Sequence, residues 1–167
     1  MGNVKQVKWV ESLNMNGSRK KLVYVAANLK RAKGKILAMG DFSTIGGVSR
    51  KFLARLNENG TTDPTFTAGG GQGDLDKAPF RLLQLPGGLL LIAGEFTSVG
   101  GESQLYLARL RADGSFDKSF RPIINGPVYS MARQEEDGMI LIGGDFTEVN
   151  GTASTWRRWR FNSTANI

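Results

Sequence analysis

The sequence predicts an all-β protein built from repeated antiparallel units, and three observations lead there. One pattern recurs three times in phase along the 167 residues, its acids Asp41, Glu95 and Asp145 lying 54 and then 50 residues apart. The apolar runs are short and bounded by glycine, asparagine and aspartate, as strands between tight turns are. No stretch places apolar residues at helical spacing.

Each unit divides in the same order. A first strand is expected at 22–28, 80–85 or 128–133. A turn follows at Lys33-Gly34, Pro86-Gly87-Gly88 or Asp137-Gly138, where glycine supplies the positive φ that hairpin turns require. The next runs, at 36–39, 89–93 and 139–142, are continuously apolar, the mark of a strand buried on both faces. A third strand surrounds 53–56 or 107–110 and ends at Asn59-Gly60 or Asp113-Gly114, a strong hairpin signal. A fourth is expected to pass through Phe66 or Phe120. In the third unit this second half survives only as 156–162, and the chain ends before an Asp-x-x-Phe can appear.

Four antiparallel strands in a unit of this length form the pattern of a β-propeller blade. The motifs Gly-Gly-Asp-Phe-Thr-x-Val-Asn-Gly (143–151), Ala-Arg-Leu-Asn-x-x-Gly (54–60) and Asp-x-x-Phe (63–66, 117–120) resemble the delta-60 repeats of bacterial and phage proteins. That resemblance spans 22–162 and implies a β-propeller-like fold of about three repeats, with no enzyme activity attached. A β-trefoil is the alternative, since it too has three units of about four strands. Closed propellers have four to eight blades, so three units are expected to share a ring between two chains or to sit in a larger assembly. The domain is expected over 22–167, preceded by a basic strand or arm at 1–21 whose segment Val4–Val10 would fill the vacant strand of an incomplete unit, its own or a neighbour's.

The composition narrows the chemistry. With no cysteine and no histidine there is no disulfide frame, no zinc site of the usual kind, no thiol nucleophile and no imidazole base. No apolar run is long enough to span a membrane, and the first residues lack the apolar core of a secretory signal. The formal charge of +7 is unevenly placed: residues 1–35 carry nine basic side chains against Glu11 alone, while the remainder is net −1. Three basic residues of that remainder, Arg157, Arg158 and Arg160, cluster near the end of the chain.

Two sets of side chains stand out. Arg19, Lys20 and Lys21, with Trp156, Arg157, Arg158, Trp159 and Arg160, are the expected contact residues. In a strand, Trp156, Arg158 and Arg160 share one face and Arg157 and Trp159 the other. Such a strand either packs its tryptophans on a neighbour while its arginines pair with acids, or stacks on bases or sugars beside anionic groups. The second set is one acid and one arginine per unit, Asp41 with Arg55, Glu95 with Arg109 and Asp145 with Arg160, read as a repeated ion pair or backbone cap. Neither Asp74-x-Asp76 nor Glu135-Glu136-Asp137 offers more than solvated loop carboxylates, and no metal site or cofactor is expected. The expected function is a non-enzymatic structural or protein-interaction module, binding copies of itself or other subunits. A carbohydrate- or polyanion-binding module is the alternative.

Overall fold

A computed structural model describes residues 24–26, 35–71, 75–154 and 158–162. The basic arm, with Arg19, Lys20 and Lys21, lies outside the described residues, as do Val4–Val10, Trp156 and Arg157.

Three antiparallel sheets follow one another along the chain. In the first, β1 (Tyr24–Ala26) pairs with β2 (Ile36–Met39). A hairpin of two-residue strands follows, β3 (Thr44–Ile45) with β4 (Val48–Ser49), before β5 (Leu53–Leu56) returns beside β2. The second sheet repeats this order with β6 (Pro79–Gln84), β7 (Leu90–Gly94), the hairpin β8 (Ser98–Val99) and β9 (Glu102–Ser103), and β10 (Leu107–Leu110). The third does so with β11 (Val128–Arg133), β12 (Met139–Gly144), the hairpin β13 (Glu148–Val149) and β14 (Thr152–Ala153), and β15 (Arg158–Asn162). The central strand is always the apolar one, and it alone is paired on both edges.

The small hairpins turn on Gly46-Gly47, Gly100-Gly101 and Asn150-Gly151, each pair with both φ positive. That is the turn whose twist suits a two-residue hairpin loop. Bulges interrupt the first strands at Phe80 and Tyr129, where the register shifts between Pro79 and Arg81 and between Val128 and Ser130.

The fourth strand expected through Phe66 or Phe120 is not formed. Only single bridges remain, Leu56 with Thr62 and Leu110 with Phe116. The chain then turns, because the Asp63 carboxylate accepts from the Thr65 amide at 3.0 Å and that of Asp117 from the Ser119 amide at 3.2 Å. Pro64 also removes a donor that a ladder would need. Instead of lying in a strand, Phe66 and Phe120 drop fully buried into the core.

Two cores lie between the sheets. Strand alternation sends Leu90, Ile92, Ala108 and Leu110 of the second sheet to join Leu37, Met39, Leu53 and Phe66. It sends Leu91, Ala93 and Leu107 the other way, to Phe120, Ile140, Ile142 and Phe161. The middle sheet is thus sandwiched, with β10 buried along its whole length. Separate sheets stacked face to face are blades, which sets the trefoil aside. No helix among the described residues is long and apolar enough to cross a membrane.

Candidate interaction face

Between successive sheets lies a repeated clasp. Arg55 Nε donates to Asp63 Oδ2 at 2.8 Å, and Arg109 Nε to Asp117 Oδ2 at 2.7 Å. The other carboxylate oxygen accepts from a hydroxyl, Thr65 Oγ1 or Ser119 Oγ, at 2.7 Å in both copies. That hydroxyl in turn takes a bond from the arginine's Nη2, at 3.1 Å in the first clasp and 3.2 Å in the second. The guanidinium lies over the phenylalanine ring, 4.9 Å from the Phe66 centroid and 4.7 Å from that of Phe120, at cation–π distance. Arg55 reaches further, donating through Nη1 to the Ala112 carbonyl of the next unit at 2.6 Å.

Burial alone would raise the pKa of Asp63. The hydroxyl and amide of Thr65, then Arg55 and Lys35, outweigh it and hold the carboxyl well below the usual range. Asp117 is lowered by the same balance, with Ser119 and Arg109 overcoming its desolvation. A charge-assisted network of this kind is stable only if every member is satisfied.

The expected partners of these arginines are therefore corrected. Arg55, Arg109 and Arg160 stand in register opposite Leu37, Leu91 and Leu141. Asp41, Glu95 and Asp145 come four residues after those leucines, past the ends of the central strands at Met39, Gly94 and Gly144. The acid that Arg55 and Arg109 each hold comes eight residues later, in the Asp-x-Ser/Thr-Phe segment. The spacing of eight is the same in both units, as is the spacing of 14 from Asp41 and Glu95.

The third sheet carries its arginine at the same register. Arg160, with its side chain 55% exposed, contacts Gln134 Oε1 at 3.4 Å and Asp137 Oδ2 at 3.6 Å. Arg158 is also exposed, whereas Trp159 is half-buried against the core shared with the second sheet, and Phe161 is buried there. The alternation expected for this strand holds over 158–160: both arginines face outward and the tryptophan inward. The leucine series shows what that outward face lacks, with Leu37 7% exposed, Leu91 fully buried and Leu141 37% exposed. Composition gave no hint of it, since all three leucines sit in similar apolar runs.

Among the described residues, other acids cap backbone or lie in solvent. Asp76 accepts from the Thr97 amide and hydroxyl and the Ser98 amide, and those bonds outweigh its desolvation to lower its pKa. Asn125 holds Thr147 and Glu148 of the next hairpin in the same way. Glu135, Glu136 and Asp137 are exposed in the turn between β11 and β12. Among the described residues no three acids converge as metal ligands would.

Residues 34–66, 88–120 and 135–164 match the family described as a domain of unknown function (DUF5122) beta-propeller. No curated protein and no solved structure matches the chain. The three matches cover more than half of the sequence, and each takes in the second and third strands of one sheet with the small hairpin between them, so the chain belongs to this β-propeller repeat family.

Proposed function

We propose that this member of the β-propeller repeat family is a non-enzymatic interaction module, a subunit of a homo-oligomer or larger assembly that makes contact through the outward face of its third sheet. The observation that carries this reading is Leu141. Its counterparts Leu37 and Leu91 are sealed by the next sheet, while Leu141 stands exposed at the same position. A leucine flanked by Arg158 and Arg160 has the character of a contact patch, an apolar centre with a polar rim. Two chains meeting there would supply six blades, within the usual range for a closed ring.

The test is the native mass of the full chain across a concentration series, measured by sedimentation. The unsubstituted protein should exceed the mass of one chain, and Leu141→Asp should return it to one. A mass of one chain at every concentration, unaltered by the substitution, argues against self-assembly. A glycan- or polyanion-binding role finds less support here, since Trp159 packs inward rather than beside Arg158 and Arg160.

A further inference from the structure

Two exposed aromatic rings meet where the first strands of the second and third sheets, β6 and β11, pack against one another. Each strand carries its bulge at the second residue, Phe80 or Tyr129. The residues before them, Pro79 and Val128, are buried, whereas Phe80 is 37% and Tyr129 41% exposed. A bulge re-aims the extra side chain, and the two rings so displaced lie 5.9 Å apart between centroids, tilted by 34°. The glycine beside each bulge permits this and is followed by an acid. A Cβ on Gly94 would lie 3.0 Å from the Pro79 Cα, and one on Gly144 2.8 Å from the Val128 Cα. The next residues are Glu95 and Asp145, the recurring acids that the strand arginines do not hold. Desolvation, then the charges of Asp145 and Glu95, raise the pKa of the Tyr129 hydroxyl, so both carboxylates are felt at that ring.

We propose that the paired bulges form a binding site for a cationic side chain, the lysine or arginine of a basic segment in a partner protein, seated against Phe80 and Tyr129 with Glu95 and Asp145 as counter-charges. Charge complementarity selects the occupant: ring faces and carboxylates both attract a cation, and both repel an anion. The fold already uses this contact elsewhere, with Arg55, Arg109 and Arg121 lying over Phe66, Phe120 and Phe116. Among the described residues no guanidinium lies over Phe80 or Tyr129. The neighbouring Arg81 is held on the backbone, its Nη1 donating to the Phe80 carbonyl at 2.8 Å. The site is distinct from the outward face of the third sheet, because Phe80 belongs to the second sheet and Leu141 faces away from it. Occupancy here and self-association there are therefore compatible.

The probe is a fluorescein-labelled peptide with the sequence of residues 17–23, Gly-Ser-Arg-Lys-Lys-Leu-Val, titrated into the full chain at low salt and followed by anisotropy. Saturable binding is expected, and the same peptide with its three basic residues replaced by glutamine should not bind. Tyr129→Ala and Glu95→Gln in the protein should each weaken binding about fivefold or more. Changing Glu135 and Glu136 to Gln, acids of an exposed turn, should leave it unaltered, which separates the site from general attraction to acidic surface. Tyr129 is exposed and Glu95 half-buried, so both variants should keep the thermal midpoint of the parent. The proposal is overturned by an absence of saturable binding up to about 1 mM peptide, or by affinity that neither Tyr129→Ala nor Glu95→Gln alters. Saturable binding of cellohexaose that Tyr129→Ala abolishes, without binding of the peptide, would assign the rings to sugar stacking and also overturn it. Tighter binding of the peptide once Arg19, Lys20 and Lys21 of the protein are changed to Gln would show the chain's own basic residues in the site, and overturn its assignment to a partner.

Discussion

Asp117 is the residue on which the second clasp turns. It is almost wholly buried together with Arg109 and is bonded on both oxygens. Removing one member of a buried pair leaves the other charge stranded, at a cost of about 3–5 kcal/mol. Asp117→Ala should therefore lower the unfolding free energy in urea by that amount. Ser119→Ala, which deletes one bridging hydroxyl, should cost about 1 kcal/mol. The pH dependence follows from the depressed pKa values of Asp63 and Asp117. The unfolded chain takes up protons on these groups near pH 4, whereas the folded chain resists until lower pH. Stability from these two carboxylates is thus fully present at neutral pH and lost as pH falls below about 4 toward their depressed values. Asp63→Asn should flatten part of that acid limb in a urea titration repeated from pH 6 to pH 2.5. At this scale the sequence was ambiguous for a physical reason: in a repeat, every residue recurs at the same interval, so periodicity alone cannot say which two touch. Asp41 and Asp63 keep step with Arg55 equally well, and only the strand register separates them.

Elements were legible in proportion to their length. The central strands announced themselves by continuous apolar runs, and the third strands by the Asn-Gly and Asp-Gly turns that end them. The hairpins of β3 with β4, β8 with β9 and β13 with β14 did not, because two-residue strands are too short to display an alternation. Their Gly-Gly and Asn-Gly turns were nonetheless in plain view at 46–47, 100–101 and 150–151. Two glycines separate the two ways in which these elements depend on a missing side chain. A Cβ on Gly144 would lie 2.0 Å from the Pro127 carbonyl oxygen, backbone that has nowhere to move. Gly151 has open space around it but a φ of +76°. Gly144→Ala should cost about 3 kcal/mol or more through overpacking, and Gly151→Ala about 1–2 kcal/mol through strain alone. Urea unfolding of the two variants side by side checks the order.

At the scale of the whole molecule, the expected architecture of repeated antiparallel blades is what the chain adopts, and the leucine series measures how completely each blade is covered. Leu91→Ala should cost about 2–5 kcal/mol, because it opens a cavity in the core shared with the third sheet. Leu141→Ala should stay within about 0.5 kcal/mol in the isolated chain, as exposed substitutions do. Thermal and urea unfolding of the pair would read that contrast, and equal losses would mean that Leu141 is covered too. The openness of the third face could not be seen in the sequence, because burial between sheets depends on what lies across from a strand rather than on the strand.

Phe66 follows the first sheet in the chain yet is buried against the second, and Arg55 of the first sheet bonds a carbonyl of the second unit. The first sheet is thereby finished by its successor. The middle sheet cannot open by itself, since parting it from either neighbour uncovers a phenylalanine and breaks into a core at once. Its amides should therefore exchange with solvent only when the neighbouring sheets open with it, which makes the three blades one cooperative unit rather than three beads on a string.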